Sequence, residues 1–158
     1  MTTVPRLRPG GIVALTFSHL GICVSDLERS LRFYRDGLGF EPVATHRVGE
    51  EFGGLMELEG VRLESQMMAR DGVTIELLAF EHPRAVGDGR RRPLNHLGLT
   101  HLSLRVDDID AVARQIELLG GEVVRATRTH LGAASSPLDF VYCTDPDGVR
   151  IELMDLPG

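Results

Sequence analysis

The chain has 158 residues, of which 42% are hydrophobic and 25% are charged, a composition typical of a globular protein and not of a disordered or fibrous one. A formal net charge of −6 disfavours general nucleic-acid binding, because a negative surface repels phosphates and the basic run Arg90–Arg92 is too short to offset that repulsion. Two cysteines and no long apolar segment predict a cytoplasmic protein that has no disulfide framework and does not enter a membrane.

The first predicted elements are a strand and a helix. After a β-forming run, Ser25 and Glu28 have the spacing of a capping box and predict the start of the helix. Its apolar stripe ends at Gly39 and comprises Leu27, Leu31, Tyr34 and Leu38. Further strand-like segments follow, the last of which is DGVTIELLAF, from Asp71 to Phe80. These elements predict a strand, a helix and then several strands.

The second half repeats this order after a segment rich in Gly, Pro and charge, about 82–97, which we interpret as a linker. A strand around His101 precedes a helix that Asp107 or Asp108 caps and that Gly120–Gly121 ends. The apolar stripe of this helix is Ile109, Val112, Ala113, Ile116 and Leu119. Three strands are predicted after it, Glu122–Thr127, Leu138–Thr144 and Val149–Met154.

The two halves are related by an internal repeat. A shift of 82 positions places His19 on His101, and a shift of 76 places Glu76 on Glu152. A loop of different length in the two halves accounts for the difference between the shifts. The sequence therefore predicts an α+β fold with two tandem βαβββ modules, about 14–81 and about 98–156, within one domain that spans 1–158.

Four polar residues recur on one face of the predicted strands. Side chains alternate across a strand, so His19, Glu76, His101 and Glu152 lie opposite the more apolar faces that pack on the helices. Ordinary half-solvated strands would also have a polar outer face. However, matched histidines and glutamates at equivalent points of a repeat favour a metal site. Two imidazoles and two carboxylates suit a divalent cation and leave coordination positions open, which is typical of a catalytic metal.

Around these residues the sequence resembles the vicinal oxygen chelate superfamily, which includes glyoxalase I, methylmalonyl-CoA epimerase, extradiol dioxygenases and bleomycin resistance proteins. The similar segments are SHLGICVSDLERSLRFYRDGLGF, GLTHLSLRVDDIDAVARQIELLGGEVV and FVYCTDPDGVRIELMD. The resemblance implies two βαβββ modules whose mixed sheets form a cup around a divalent ion such as Zn, Ni, Co, Mn or Fe. It implies four ligands, His19, Glu76, His101 and Glu152, a small-molecule substrate, and a homodimer in which one chain or two build the cup.

Within the superfamily, a glutamate at position 76 resembles the glyoxalase and epimerase branch. We therefore expect a lyase or isomerase that transfers a proton on a small carbonyl-containing substrate. Glu152 is the first candidate for the base, and Glu64 is the second by analogy with the epimerases. Arg105 and Arg150 share strand faces with the candidate ligands and either bind a substrate anion or pair with nearby carboxylates.

Two other functions remain open. An Fe(II)-dependent extradiol dioxygenase would use His19, His101 and Glu152 as ligands and would leave Glu76 with a structural role. A ligand-sequestering resistance protein would need stacking surface, and the chain contains no tryptophan and 5% aromatic residues.

Overall fold

The computed structural model describes residues 15–133 and 136–156. Module one contains, in chain order, β1 (Leu20–Val24), α1 (Leu27–Arg32) continued by a π-helical turn (Phe33–Gly37), β2 (Glu41–Val48), a 3-10 turn (Glu50–Phe52), α2 (Gly53–Met56), β3 (Arg62–Arg70) and β4 (Val73–His82). Module two contains β5 (Leu102–Arg105), α3 (Ile109–Leu118), β6 (Glu122–Ala133), β7 (Ser136–Thr144) and β8 (Arg150–Asp155).

Each module forms one four-stranded mixed sheet with the same topology. The strand order is β1-β4-β3-β2 in module one and β5-β8-β7-β6 in module two. The first strand of each module runs parallel to the last strand, and the other neighbours are antiparallel. The predicted α+β fold with two tandem modules is therefore confirmed. In the part of the chain that the structure describes, β1 and β5 are edge strands, and no backbone ladder joins the two sheets.

Both long helices begin at an aspartate. Of the two predicted candidates, Asp107 and Asp108, it is Asp108 that caps α3, by accepting a hydrogen bond from the backbone N–H of Ala111. The capping box predicted for α1 is wrong, because Asp26 caps this helix through the backbone N–H of Arg29. Ser25 instead donates its hydroxyl to Asp147 of module two at 2.6 Å. A distant partner therefore decides which of two adjacent capping residues is used.

The second hairpin is longer than predicted. β6 and β7 stay paired as far as Ala133 and Ser136, although most of β6 beyond Thr127 is exposed. Arg128 of β6 donates its Nε to Asp139 of β7 at 2.7 Å, and this ion pair joins the two strands. A cross-strand ion pair thus stabilises the part of the hairpin beyond Thr127, where the strand predicted from the apolar pattern ends.

One hydrophobic core joins the two modules. The helix-facing sides of the sheets and the helices contribute to it, with buried residues that include Ile22, Val24, Phe33, Tyr34, Ile75, Leu77, Ile116, Val141, Ile151 and Leu153. Gly121 is required where the modules meet, because a Cβ at this position would lie 2.3 Å from the carbonyl oxygen of Thr144 and 2.8 Å from the Phe33 ring. Helices therefore pack between the sheets, and the opposite sheet faces point away from the core.

Polar contacts fix α1 against the turn between β7 and β8. The buried Asp145 accepts hydrogen bonds from the Tyr34 hydroxyl at 3.0 Å and from the backbone N–H groups of Asp147 and Val149 at 2.9 and 2.8 Å. Burial raises the pKa of the Asp145 carboxyl and raises the pKa of Tyr34 well above its ordinary value. Arg29 forms an ion pair of 2.6 Å with Asp147. These contacts set the relative position of the two modules.

Among the described residues, no helix combines the length and the apolar character that crossing a bilayer requires.

Candidate metal site

Strand register places the two predicted glutamates at equivalent points of the two sheets. Gly21 of β1 lies opposite Glu76 of β4, and Ser103 of β5 lies opposite Glu152 of β8. Each glutamate therefore projects from the face of its sheet that is turned away from the core. The predicted histidines, His19 and His101, immediately precede β1 and β5.

The first pair consists of His19 and Glu76. His19 Nε2 lies 3.1 Å from Glu76 Oε2, and the Glu76 side chain is 19% exposed. Ser18 Oγ is 2.9 Å from His19 Nδ1, so the other ring nitrogen is directed at the glutamate. The buried Ser65 donates its hydroxyl to Glu76 Oε1 at 2.5 Å. Each member of the pair is thus oriented by a neighbouring hydroxyl.

The second pair consists of His101 and Glu152 and repeats this arrangement. His101 Nε2 lies 3.6 Å from Glu152 Oε2, and Thr100 Oγ1 is 2.9 Å from His101 Nδ1. Ser103 donates its hydroxyl to Glu152 Oε2 at 2.7 Å. In both modules the hydroxyl of the residue before the histidine forms a hydrogen bond with Nδ1, and Nε2 faces the carboxylate.

Tyr142 distinguishes the second pair from the first. It lies opposite Glu152 across the β7/β8 ladder, where module one has Met67 opposite Glu76. The Tyr142 ring is edge-on to His101, with centroids 5.5 Å apart, and the Tyr142 side chain lies beside Glu152 on the same face of the sheet. Burial and the charge of Glu152 raise the pKa of Tyr142. Glu152 therefore has a phenol beside it, whereas Glu76 has a thioether.

The geometry of each pair fits two ligands of one metal ion. Ligand atoms about 2.1 Å from a metal are separated by about 3.0 Å at an octahedral angle and about 3.4 Å at a tetrahedral angle. The N–O separations of 3.1 and 3.6 Å are close to these values. A hydrogen bond to Nδ1 is also the usual support for a histidine that binds a metal through Nε2. The imidazole and carboxylate donors suit a divalent cation of borderline hardness.

The structure brings the four predicted ligands together as two pairs only. Within residues 15–133 and 136–156, no group of three or more His, Cys, Asp or Glu side chains is placed to hold a metal ion. A histidine and a glutamate alone leave most coordination positions of a divalent ion unfilled. Each module of one chain therefore provides half of the predicted ligand set.

The two predicted substrate-binding arginines lie on the same sheet face as Glu152. Arg105 follows Ser103 by two residues and donates its Nη2 to the carbonyl oxygen of Leu156 at 3.3 Å. Arg150 lies over the Tyr142 ring, 5.0 Å from its centroid. Two guanidinium groups therefore accompany the second pair.

Glu64, the second candidate for the base, lies away from both pairs. It pairs with Ala79 in the β3/β4 ladder, whereas Glu76 pairs with Met67. Since successive residues point to opposite faces, Glu64 is on the helix-facing side of the sheet, opposite Glu76. The analogy that suggested Glu64 depended on alignment, and a shift of one residue changes the face.

Sequence reasoning did not identify Tyr142. A signal for it was present, because the turn Asp145–Gly148 is short and sets the antiparallel register of the segments that flank it. Extending that register backwards from the turn places Tyr142 opposite Glu152. The roles of Ser18 and Thr100 follow from the shift of 82 positions that aligns the two histidines, since each residue immediately precedes one of them.

Comparison with known proteins identifies the family and relatives of the chain. A sequence model of the Glyoxalase/Bleomycin resistance protein/Dioxygenase superfamily matches residues 16–153. A lactoylglutathione lyase of Haemophilus influenzae is 30% identical over 142 residues, which cover 87% of this chain and 90% of that protein. A 2-epi-5-epi-valiolone epimerase of Actinomyces sp is 27% identical over 151 residues, which cover 92% of this chain and 81% of that protein.

Solved structures share the fold. A glyoxalase family protein from Bacillus cereus superposes with a TM-score of 0.78 at 25% identity, covering 94% of this chain and 98% of that one. A fosfomycin resistance protein from Listeria monocytogenes, solved with Mn(II) and a sulfate ion, gives a TM-score of 0.56 at 16% identity, covering 92% and 95%. The tandem-module fold is therefore common to proteins of several named activities.

Proposed function

The chain belongs to the Glyoxalase/Bleomycin resistance protein/Dioxygenase superfamily, and on this premise we propose that it is a divalent-metal-dependent lyase or isomerase that transfers a proton on a small carbonyl-containing substrate. The presence of a His–Glu pair in each module is the observation that carries the proposal. The named activities of the similar lyase and epimerase support the same reaction class.

In this proposal His19, Glu76, His101 and Glu152 hold the metal ion. The ion would act as a Lewis acid that polarises the substrate carbonyl and increases the acidity of the neighbouring C–H bond. Glu152 takes the proton and returns it to the same or an adjacent carbon. The Ser103 hydroxyl holds the Glu152 carboxylate in position while its charge changes, and the Tyr142 phenol lies beside that carboxylate. Arg105 and Arg150 bind an anionic group of the substrate.

We further propose that a second copy of the chain completes the metal site. Each chain offers two half-sets of ligands among its described residues, and no group of three or more ligand side chains forms within them. In a symmetric homodimer, the first pair of one chain meets the second pair of the other, and two identical sites form.

The reaction class is tested by metal analysis and hydrogen exchange. We expect the purified protein to contain about one divalent ion per chain, because a symmetric dimer has two sites. In D2O it should catalyse loss of the C–H proton signal of 2-hydroxycarbonyl or 1,3-dicarbonyl compounds in NMR spectra. Lactoylglutathione and 2-epi-5-epi-valiolone are the first compounds to include, because two relatives are named for them. A chelator should stop the exchange, and added metal should restore it.

Absence of both bound metal and exchange across the substrate panel would contradict the proposal. Consumption of oxygen with catechols after anaerobic loading with iron would instead identify a dioxygenase. The two reactions are distinguished because proton exchange consumes no oxygen.

Mixing two inactive variants tests whether two chains share each site. His19→Ala removes a ligand from module one, and His101→Ala removes one from module two. If each site combines the two modules of different chains, a heterodimer of these variants has one intact site. Statistical mixing should then restore about a quarter of the wild-type exchange rate, because half of the dimers are heterodimers and half of their sites are intact.

The matched control mixes His19→Ala with Glu76→Ala, since both changes affect module one and no intact site can form. Differently tagged chains purified in two steps show whether heterodimers are present. Tagged heterodimers of His19→Ala and His101→Ala with no activity would contradict sharing and favour sites built within one chain.

A further inference from the structure

A cavity of about 440 Å³, which we call the edge cleft, lies between β1 and the start of β5. Leu20 of β1 and Leu102 of β5 contribute apolar surface to it. His101 of the second pair also lines the edge cleft, so the cavity adjoins the candidate metal site. Its volume suits a small organic molecule.

The polar lining of the edge cleft is mainly cationic. Three arginines contribute, Arg90 and Arg92 from the segment between the modules and Arg150 from β8. The lining also contains two carboxylates, of which Asp147 is paired with Arg29, while Asp88 accepts a hydrogen bond from the backbone N–H of Arg90 and leaves the three arginines in excess. The edge cleft therefore has an excess of positive charge.

Two of these guanidinium groups have unused donors. In the described chain, the Arg90 side chain forms no hydrogen bond or ion pair, and Arg150 Nε is buried without a hydrogen-bond partner. A buried donor without an acceptor destabilises a protein, and an anionic oxygen is the acceptor that guanidinium groups bind most strongly. The exposed Arg90 guanidinium is therefore free to bind an anion, and beside it the buried Nε of Arg150 lacks an acceptor within the described chain.

The segment that contains these arginines is fixed to module two. Arg91 forms an ion pair of 3.1 Å with Glu122, and Arg150 donates its Nη2 to the carbonyl oxygen of Arg92 at 2.8 Å. Gly148 has a φ of +84°, and a Cβ there would lie 2.5 Å from the carbonyl oxygen of Gly89. This close backbone contact requires glycine. The charged wall of the edge cleft is therefore positioned before any ligand binds, which lowers the entropic cost of binding.

We propose that the edge cleft binds an amphipathic organic anion, with its carboxylate or phosphate group on Arg90 and Arg150 and its apolar part against Leu20 and Leu102. Given the proposed function, on which this second step rests, the anion is the distal end of the substrate, because the edge cleft opens beside His101. The substrate class would then be a carbonyl compound with an anionic group and an apolar segment.

Binding of simple probes tests the site without requiring turnover. Phenyl phosphate, benzoate and neutral benzyl alcohol are titrated into the protein, and affinity is measured by calorimetry together with NMR shifts of the Gly89 and Gly148 amides. Binding of either anion supports the proposal, and the tighter one identifies the group that the edge cleft prefers. Sodium chloride should weaken the binding of both anions and leave the binding of benzyl alcohol unchanged. Benzyl alcohol binding as tightly as both anions would overturn the proposal.

Two adjacent arginines provide a matched pair of variants. Arg90→Gln removes a group that lines the edge cleft, whereas Arg91→Gln removes the same charge from a side chain that pairs with Glu122. A lost charge-assisted hydrogen bond should weaken anion binding about tenfold in Arg90→Gln. Arg91→Gln should change it less than about twofold, because the exposed ion pair with Glu122 contributes little and the hydrogen bond from Arg150 to Arg92 still fixes the segment. Equal affinities in the two variants would overturn the proposal.

The same titration in His19→Ala separates this proposal from the proposed function. That variant lacks a candidate metal ligand and retains every residue of the edge cleft. Anion binding should survive in His19→Ala even if the protein has no metal-dependent activity. Loss of anion binding in His19→Ala would show that the anions bind at the metal, and would overturn the edge cleft as the site.

Discussion

Replacing Glu152 with glutamine is expected to lower the rate of C–H exchange about 10²–10⁴-fold at saturating metal, which is the usual contribution of a general base. Glutamine keeps an oxygen that can accept the hydrogen bond of Ser103, so the side chain should stay in place. It cannot take up a proton. The rate is measured by NMR in D2O and expressed per bound metal ion, so that reduced metal occupancy is not read as lost chemistry.

Glu76→Gln is the matched control, because it makes the same change at the equivalent position of module one. We expect a smaller loss of rate from it, since Glu76 lies opposite Met67 and has no phenol beside it. Losses of equal size in the two variants would contradict the assignment of Glu152 as the base. A Glu152→Gln variant that keeps more than about a tenth of the rate per metal ion would contradict it as well.

Asp145→Ala is expected to lower the free energy of unfolding by about 3–5 kcal/mol, because it leaves one buried and two partly buried donors without an acceptor. These donors are the Tyr34 hydroxyl and the backbone N–H groups of Asp147 and Val149. Chemical denaturation followed by circular dichroism measures the change. Since Tyr34 and Asp145 belong to different modules, the wild-type protein should unfold in one transition that includes both.

Tyr34→Phe provides a graded comparison, because it removes one of the three donors and keeps the ring. This variant should lower the free energy of unfolding by about 1 kcal/mol. The pH dependence has a definite sign: burial raises the pKa of Asp145, so its contribution to stability is present at low pH and decreases as the pH rises through that pKa. The loss of unfolding free energy caused by Asp145→Ala should therefore be larger at about pH 4 than at about pH 7. A loss of unfolding free energy below about 1 kcal/mol at both pH values would contradict a stabilising role of Asp145.

The repeat and the alternation of side chains were sufficient to predict the fold and the two pairs. In a parallel β1/β4 or β5/β8 ladder, a histidine before the first strand and a glutamate in the last strand reach each other across one inter-strand spacing. These are contacts within a module, and the sequence period determines them. His19 with Glu76, and His101 with Glu152, were predictable for this reason.

Contacts between the modules were not predictable in this way. Nothing in the local sequence shows that Ser25 binds Asp147 and leaves Asp26 to cap the helix, because both residues are good caps. The same long-range packing determines that the two pairs do not join within one chain. The position of Glu64 was not predictable either. The sequence does not fix the register of β3 to within one residue, and a shift of one residue moves Glu64 to the other face of the sheet.

The difference between Met67 and Tyr142 has a consequence for symmetry. A site assembled from two copies of a single-module protein would contain two identical halves, so any residue placed beside one glutamate would also stand beside the other. Joining two modules in one polypeptide removes that restriction, because each half can change by itself. In the proposed function, the fused chain can therefore use Glu76 as a ligand beside a thioether and Glu152 as a base beside a phenol, within a pair of otherwise repeated strands.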